Sequence, residues 1–233
     1  MAYTKRFDGR KFDELREMKA KVGIIKRADG SAMFQIGKTI ALCAVYGPRT
    51  MYPSHDQDPE QAVLRCHYSM MAFSGSGDRV RPGPSRRSKE ISMVMESAIS
   101  AMVDLTQYPN KVIDVFVELL QTDSGTRCAG ICAASMALAE AGVSMKDLIT
   151  SIAVGKVGET VVLDLTKEEE DYKDGAVDIA IAMSTRTGKI TLLQLDGEIK
   201  KDELKEALKL GKKGCEKIKE VQVKALKEKY NLK

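Results

Sequence analysis

The chain has 233 residues, enough for one large domain or two small ones with a sizeable core, so neither disulfides nor a structural metal is required. Hydrophobic residues make up 43% and charged residues 30%, which excludes a disordered chain. The formal net charge of +4 is too mild to imply a polyanionic partner, and it resides in the last 36 residues, where 12 lysines face seven acids.

From Lys21 to Tyr46, short apolar runs broken by turns predict strands, with Ala28-Asp29-Gly30 as a hairpin signal. Gly37-Lys38-Thr39 resembles the end of a phosphate loop. The glycine that motif needs five residues earlier is Ala32, and Ile40 to Tyr46 reads as strand where a helix is needed, so nucleotide hydrolysis is set aside. Val63–Met70 alternates strictly. Leu64, Cys66, Tyr68 and Met70 form one face, and Arg65, His67 and Ser69 the other, which predicts a half-buried strand with a basic outer face.

A Gly/Ser/Pro/Arg loop, 73–88, precedes a helical pattern carried by Ile91, Val94, Met95, Ala98, Met102 and Leu105 and ended by Pro109-Asn110. Lys111–Leu120 reads as a strand with Ile113, Val115, Val117 and Leu119 on one face. After a polar turn, Arg127–Ala141 reads as a helix closed by Gly142. The second half predicts strands at Ile149–Val154, Thr160–Leu165, Ala176–Met183 and Ile190–Leu195. A final helix over Lys201–Lys229 has an apolar stripe and a lysine-rich, solvated face.

This order predicts an α+β fold. No long linker divides it, so the chain reads as a single domain, 1–233, with halves of about 1–145 and 146–233. No apolar run is long enough for a membrane span, and the N-terminus carries no secretory signal pattern. Five scattered cysteines imply reduced thiols and a cytoplasmic location. With only His55 and His67 present, chemistry built on a histidine base is not expected.

Three segments carry chemistry. Gln121-Thr122-Asp123-Ser124-Gly125-Thr126-Arg127 lies where a strand gives way to a helix, so free backbone N–H groups and the helix dipole converge on one point that favours an anion. Thr126 and Arg127 add donors suited to phosphate. The same residues also read as an ordinary cap, with Asp123 or Ser124 capping and Arg127 solvated.

The second segment, 78–89, sets five basic residues against one acid and places Arg86 and Arg87 at a helix start. Cations are disfavoured there by roughly 0.3–1 kcal/mol each unless an anion compensates. The third is acidic: Glu168 to Asp171, then Asp174 and Asp178. Asp178 interrupts an apolar strand, where an unpaired carboxylate is costly. A pair such as Asp171 and Asp178 could hold a divalent metal or act as a general acid; a solvated acidic turn is the alternative.

In this order and spacing, several further pieces resemble the RNase PH-type phosphorolytic exoribonucleases, most closely the catalytic ring subunits of archaeal exosomes. They are Asp8-Gly9-Arg10 with Asp13-Glu14-Leu15-Arg16, Ala28-Asp29-Gly30-Ser31-Ala32, Ala44 to Arg49, Pro84-Ser85-Arg86-Arg87, Ile113 to Glu118, Gln121 to Arg127, and Ile152 to Lys156. The resemblance implies an RNase PH-like fold of two similar β-α halves, packed as mixed sheets with helices and similar to the second domain of ribosomal protein S5. It implies a hexameric ring in which this subunit alternates with an inactive relative, with RNA-binding cap proteins on one face. The implied reaction is 3′-to-5′ removal of nucleotides from single-stranded RNA ends, with inorganic phosphate as co-substrate and magnesium as cofactor.

Carried over by position, Gly125, Thr126 and Arg127 hold the attacking phosphate with Arg87. Arg86 and Arg87 grip RNA phosphates, and Arg65 and channel-side His55 touch RNA. Asp171 assists the leaving oxygen, and Asp178 supports it or joins it on the metal. Asp171 and Asp178 stand seven apart where the family has six, which leaves Glu170 as a rival for the first place. Two alternatives are a homohexameric RNase PH that trims tRNA 3′ ends and a non-catalytic RNA-channelling ring subunit. The first is disfavoured by the absence of Trp and of a Met-Leu-Pro-Arg segment, the second by the retained Arg127 and acidic pair.

Overall fold

The computed structural model describes residues 3–81, 83–173 and 175–231. Asp174 of the acidic run and Pro82 of the basic loop lie outside them.

Five strands of the first half form one sheet: β1 (Met18–Val22), β2 (Gly30–Ile36), β3 (Thr39–Thr50), β4 (Val63–Met70) and β5 (Lys111–Gln121), in the order β1-β2-β3-β5-β4. All pairs are antiparallel except β4 with β5. Gly37-Lys38, the phosphate-loop lookalike, is the turn between β2 and β3. β4 buries Leu64, Cys66 and Tyr68 and turns Arg65 and His67 outward, as its alternation predicts. On β5, Ile113, Val115, Val117 and Leu119 are completely buried.

Helix α1 (Arg86–Ser100) is shorter than its apolar pattern implies. The N–H groups of Met102 and Val103 both return to the Ile99 carbonyl, and Val103 then bridges to Met145, so the chain leaves the helix for an isolated strand pairing. Helix α2 (Thr126–Glu140) is buried on every side from Cys128 to Leu138, which its Ala/Cys/Gly content permits. It ends in a Schellman arrangement, with Val143 N–H on the Leu138 carbonyl, Gly142 N–H on Ala139, and Gly142 at φ +71°.

The second half forms an antiparallel sheet of β6 (Ile149–Val157), β7 (Thr160–Leu163), β8 (Ala176–Ser184) and β9 (Ile190–Asp196), in the order β7-β6-β8-β9. A single turn, α3 (Lys167–Glu170), stands where the sequence reads as a plain acidic turn. Helix α4 (Lys201–Lys229) buries Ala207, Gly211, Cys215, Ile218 and Ala225 and leaves its lysines outside. α2 packs against β2 and β3 on one side and against β6 on the other, so it is the shared core of both sheets. This arrangement brings the start of α2, the start of α1, α3 and β8 together.

No regular element precedes β1 among the described residues, yet the N-terminal segment is firmly tied down. Arg6 is fully buried and donates to both carboxylate oxygens of Glu169 and to the carbonyls of Leu163 and Asp164. Arg16 forks onto Asp164 through Nε at 2.9 Å and a terminal nitrogen at 2.7 Å. Residues 3–17 thus form a strap across the edge of the second sheet.

Candidate active site

The strand-to-helix turn is built by two successive left-handed residues, Ser124 (φ +60°) and Gly125 (φ +63°), which lead into the first turn of α2. Neither Asp123 nor Ser124 caps the helix, contrary to the ordinary-cap alternative. The cap residue is Gly125, which has no side chain to satisfy the first N–H groups. Those of Gly125, Thr126, Arg127 and Cys128 find no acceptor among the described residues. They form a concave set of donors at the positive end of a helix, the geometry that receives an anion.

The surrounding side chains fix this turn. Ser124 is buried and donates its hydroxyl to Glu170. Thr39 donates to the Ser124 carbonyl at 2.8 Å and accepts from Asp123 N–H at 2.9 Å. The Thr126 hydroxyl accepts a 2.9 Å bond from Tyr68 of β4, which leaves its own proton available for a ligand.

Arg127 is not solvated. Its guanidinium donates to Asp178 Oδ2 at 3.0 Å, and both side chains are about four-fifths buried. Asp178 Oδ1 is buried with no partner among the described residues. Burial pushes the Asp178 carboxyl up to about 6, outweighing the attraction of Arg127 and aided by the charges of Glu170 and Asp196. This acid therefore changes protonation near neutrality.

The pairing of Asp171 with Asp178 expected from sequence is not what the structure holds. Asp171 comes just after the single turn of α3, is exposed, and its carboxylate accepts from Lys167 at 2.8 Å. One residue earlier, the chain turns Glu170 inward to Ser124 and close enough to raise the Asp178 carboxyl. The capping of α3, with Glu169 committed to Arg6 and to Thr166 N–H, sets this phase. The metal assigned to Asp171 and Asp178 does not fit these residues. Asp178 faces a guanidinium and Asp171 an ammonium. No group of three or more His, Cys, Asp or Glu side chains among the described residues is placed to hold an ion.

Arg86 and Arg87 open α1 behind a Ser85–Ser88 capping box, as the basic-loop pattern predicts. Both are exposed, and neither makes a side-chain hydrogen bond or ion pair among the described residues. The Arg87 charge acts on Tyr68, Asp178 and Lys167, so it faces the cradle. Arg65 and His55 are not gathered here. Arg65 lies on the opposite face of β4 from Tyr68 and is held in a fork by Asp114 of β5, at 2.7 and 3.0 Å. His55 is exposed in the single turn Ser54–Asp56.

Sequence reasoning missed Arg16, Asp164, Tyr68 and Thr39 as members of this cluster. Their only sequence signals are Arg16 inside the N-terminal motif and Tyr68 on the buried face of an alternating strand; Asp164 and Thr39 carry none.

A cradle of free helix N–H groups, flanked by Arg87 and Arg127 and by a carboxyl raised to about 6, has the donors and charge to receive an anion. The sequence and the RNase PH fold have known counterparts. Residues 14–144 match the 3′ exoribonuclease family, domain 1, and residues 147–214 match domain 2 of the same family. The chain belongs to the 3′ exoribonuclease family. It is 51% identical over 225 residues to the exosome complex component Rrp41 of Methanopyrus kandleri, covering 97% of this chain and 93% of that one. It is 50% identical over 226 residues to the Rrp41 of Thermococcus kodakarensis, covering 97% and 90%. Among solved structures, rice Rrp46 superposes with a TM-score of 0.83 at 25% identity over 95% of this chain and all of that one. A chain of the Archaeoglobus fulgidus exosome with RNA bound to the active site has a TM-score of 0.76 at 24% identity over 93% and 92%, a likeness of fold.

Proposed function

We infer that this chain is the phosphorolytic 3′-to-5′ exoribonuclease subunit of an exosome ring. The observation that carries the reading is the Gly125–Arg127 cradle facing a partly protonated Asp178. Inorganic phosphate rests on the N–H groups of residues 125–128 and the Thr126 hydroxyl, with Arg127 and Arg87 neutralising its charge. A phosphate oxygen attacks the phosphorus of the last phosphodiester. The bond to the 3′-oxygen of the preceding nucleotide breaks, and a nucleoside diphosphate leaves.

The departing 3′-oxygen needs a proton. Asp178, with a carboxyl near 6, is the group suited to supply it, and Glu170 takes the place beside it that the family pattern gives to Asp171. No step is routed through magnesium, because the carboxylates among the described residues do not form a site for it: Asp178 faces Arg127 and Asp171 faces Lys167. Arg86 extends the cationic surface along the RNA backbone. Arg65 and His55 serve RNA only away from the cradle, along its approach. The ring partner is an inactive relative of the same fold, and RNA-binding cap proteins cover one face. Five buried, unpaired cysteines suit the reducing cytoplasm.

The test is a poly(A) strand incubated with and without phosphate, using the chain alone and assembled with its ring partner. Nucleoside diphosphates appearing only with phosphate, and faster with the partner, are the expected result. Release of monophosphates in the absence of phosphate would overturn the reaction class, and full activity of the chain alone would overturn the ring assignment.

A further inference from the structure

We propose that Arg16, acting with Thr39, is a positioning residue that aims the backbone donors of the phosphate cradle. The inference rests on the reading of the Gly125–Arg127 turn as the phosphate site.

Two peptide groups precede the helix. In a trans peptide the carbonyl and the N–H point in opposite directions, so holding one fixes the other. Arg16 donates from one terminal nitrogen to the Asp123 carbonyl, and Thr39 donates to the Ser124 carbonyl at 2.8 Å. With both carbonyls drawn to the protein side, the N–H groups of Ser124 and Gly125 turn to the other side, in line with the free donors of α2.

Two successive left-handed residues, one of them not glycine, are disfavoured without such restraint. Arg16 is itself immobile. Its Nε and other terminal nitrogen fork onto Asp164, its backbone N–H donates to the same carboxylate at 2.8 Å, and its side chain is 7% exposed. A Cβ placed on Gly125 would lie 3.7 Å from that guanidinium, so Arg16 lies directly beneath the turn.

Arg16 touches neither phosphate nor RNA in this arrangement. Its charge is answered by Asp164, so its contribution is orientation rather than attraction. The guanidinium is needed for its shape: three separate nitrogens reach Asp164 and Asp123 at once, which one ammonium cannot do.

The experiment measures inorganic phosphate affinity of the full chain by titration calorimetry, for the native sequence, Arg16→Lys and Thr39→Val. It is paired with thermal melts and with steady-state kinetics of the ring-assembled protein. We expect Arg16→Lys to weaken phosphate binding at least tenfold. The KM for phosphate should rise by the same factor while kcat at saturating phosphate changes less than threefold. Thr39→Val removes the neighbouring clamp without touching an ion pair and should weaken binding several-fold, which keeps the test open if Arg16→Lys does not fold. Native phosphate affinity in a folded Arg16→Lys or in Thr39→Val, or a lowered melting temperature with an unchanged KM, overturns the proposal. A native chain that binds no phosphate overturns the cradle reading itself, and with it this inference.

Discussion

Arg127 and Asp178 meet at 3.0 Å although they come from opposite halves of the chain, one from the first turn of α2 and the other from β8. The contact exists because α2 is buried between both sheets, which places its N-terminus over the second one. Each residue restrains the other: Arg127 moderates the cost of burying Asp178, and Asp178 holds the guanidinium beside the cradle. Arg127→Ala is expected to lower phosphate-dependent release of nucleoside diphosphates by about 10²-fold or more, the usual cost of losing a preorganised donor to a developing charge. It should also move the Asp178 carboxyl further above 6, because the largest attraction on its charged form is gone. Asp178→Ala should abolish release while leaving phosphate affinity measurable. Undiminished release after either change removes that residue from the mechanism.

The raised Asp178 carboxyl also makes a stability prediction. Its ordinary value is 3.8 and its folded value about 6, so between these limits the folded state holds more proton than the unfolded one. Where the folded state binds more protons, stability falls as pH rises. The destabilisation is absent below the ordinary value, complete above about pH 6 and, for a shift of this size, on the order of 2–3 kcal/mol. Carboxyls held low by partners, such as Asp147 beside Lys219 and Ser184, act in the opposite direction, so the measurement is a difference. Urea denaturation of the native chain and of Asp178→Asn from pH 4 to 7 should show the variant gaining relative stability across this window. Parallel curves would show that Asp178 ionises with its ordinary value.

Glu170 and Asp171 are neighbours with opposite surroundings. Glu170 accepts from buried Ser124 and acts on Asp178, whereas Asp171 is exposed and pairs with Lys167 in an i,i+4 contact. Such surface pairs are worth about 0–1 kcal/mol. Glu170→Gln should therefore lower the rate of phosphorolysis at least tenfold and shift its pH dependence, by removing a charge that raises Asp178. Asp171→Asn should change the rate less than twofold. The reverse ranking, read from initial rates at saturating phosphate, would restore the role to Asp171.

The same two residues show how far the sequence is legible. Period-two alternation in Val63–Met70 and in Ile113–Leu119 gives both strands and their buried faces, because a half-buried sheet imposes that spacing directly. The Gln121–Arg127 turn is visible because left-handed backbone before a helix calls for glycine and polar residues. The choice between Glu170 and Asp171 is not visible. It depends on the phase of a four-residue helix that is set by Glu169 reaching Arg6, 163 positions away. Arg16 and Thr39 are hidden as well: the bonds that join them to the turn go to backbone groups of Asp123 and Ser124, which leave no trace in side-chain identity, and the carboxylate that holds Arg16, Asp164, lies 148 positions away. Arg65 illustrates the converse. Its basic face is correctly placed, but Asp114 on the next strand answers the charge, and only register reveals that.

The Arg6–Glu169 pair yields the last prediction. Both side chains are completely buried, and all three guanidinium nitrogens are used: on Glu169, on the Leu163 and Asp164 carbonyls, and on those of Lys11 and Glu14 at longer range. Tyr3 adds a 2.9 Å bond to the same carboxylate, and these partners hold Glu169 below its usual value despite burial. Removing one partner of such a pair strands the other charge, at a cost of about 3–5 kcal/mol. Arg6→Met should therefore lose stability on that scale in urea denaturation at pH 7. Part of the loss should return on lowering the pH through the range where the stranded Glu169 takes up a proton. Replacing both partners, as Arg6→Met with Glu169→Leu, should cost less than Arg6→Met alone, because no uncompensated charge remains. The strap also fixes α3, so either change should lower activity through Glu170 even where the chain stays folded. A double variant no more stable than the single one would mean that the strap is held by its backbone bonds rather than by the ion pair.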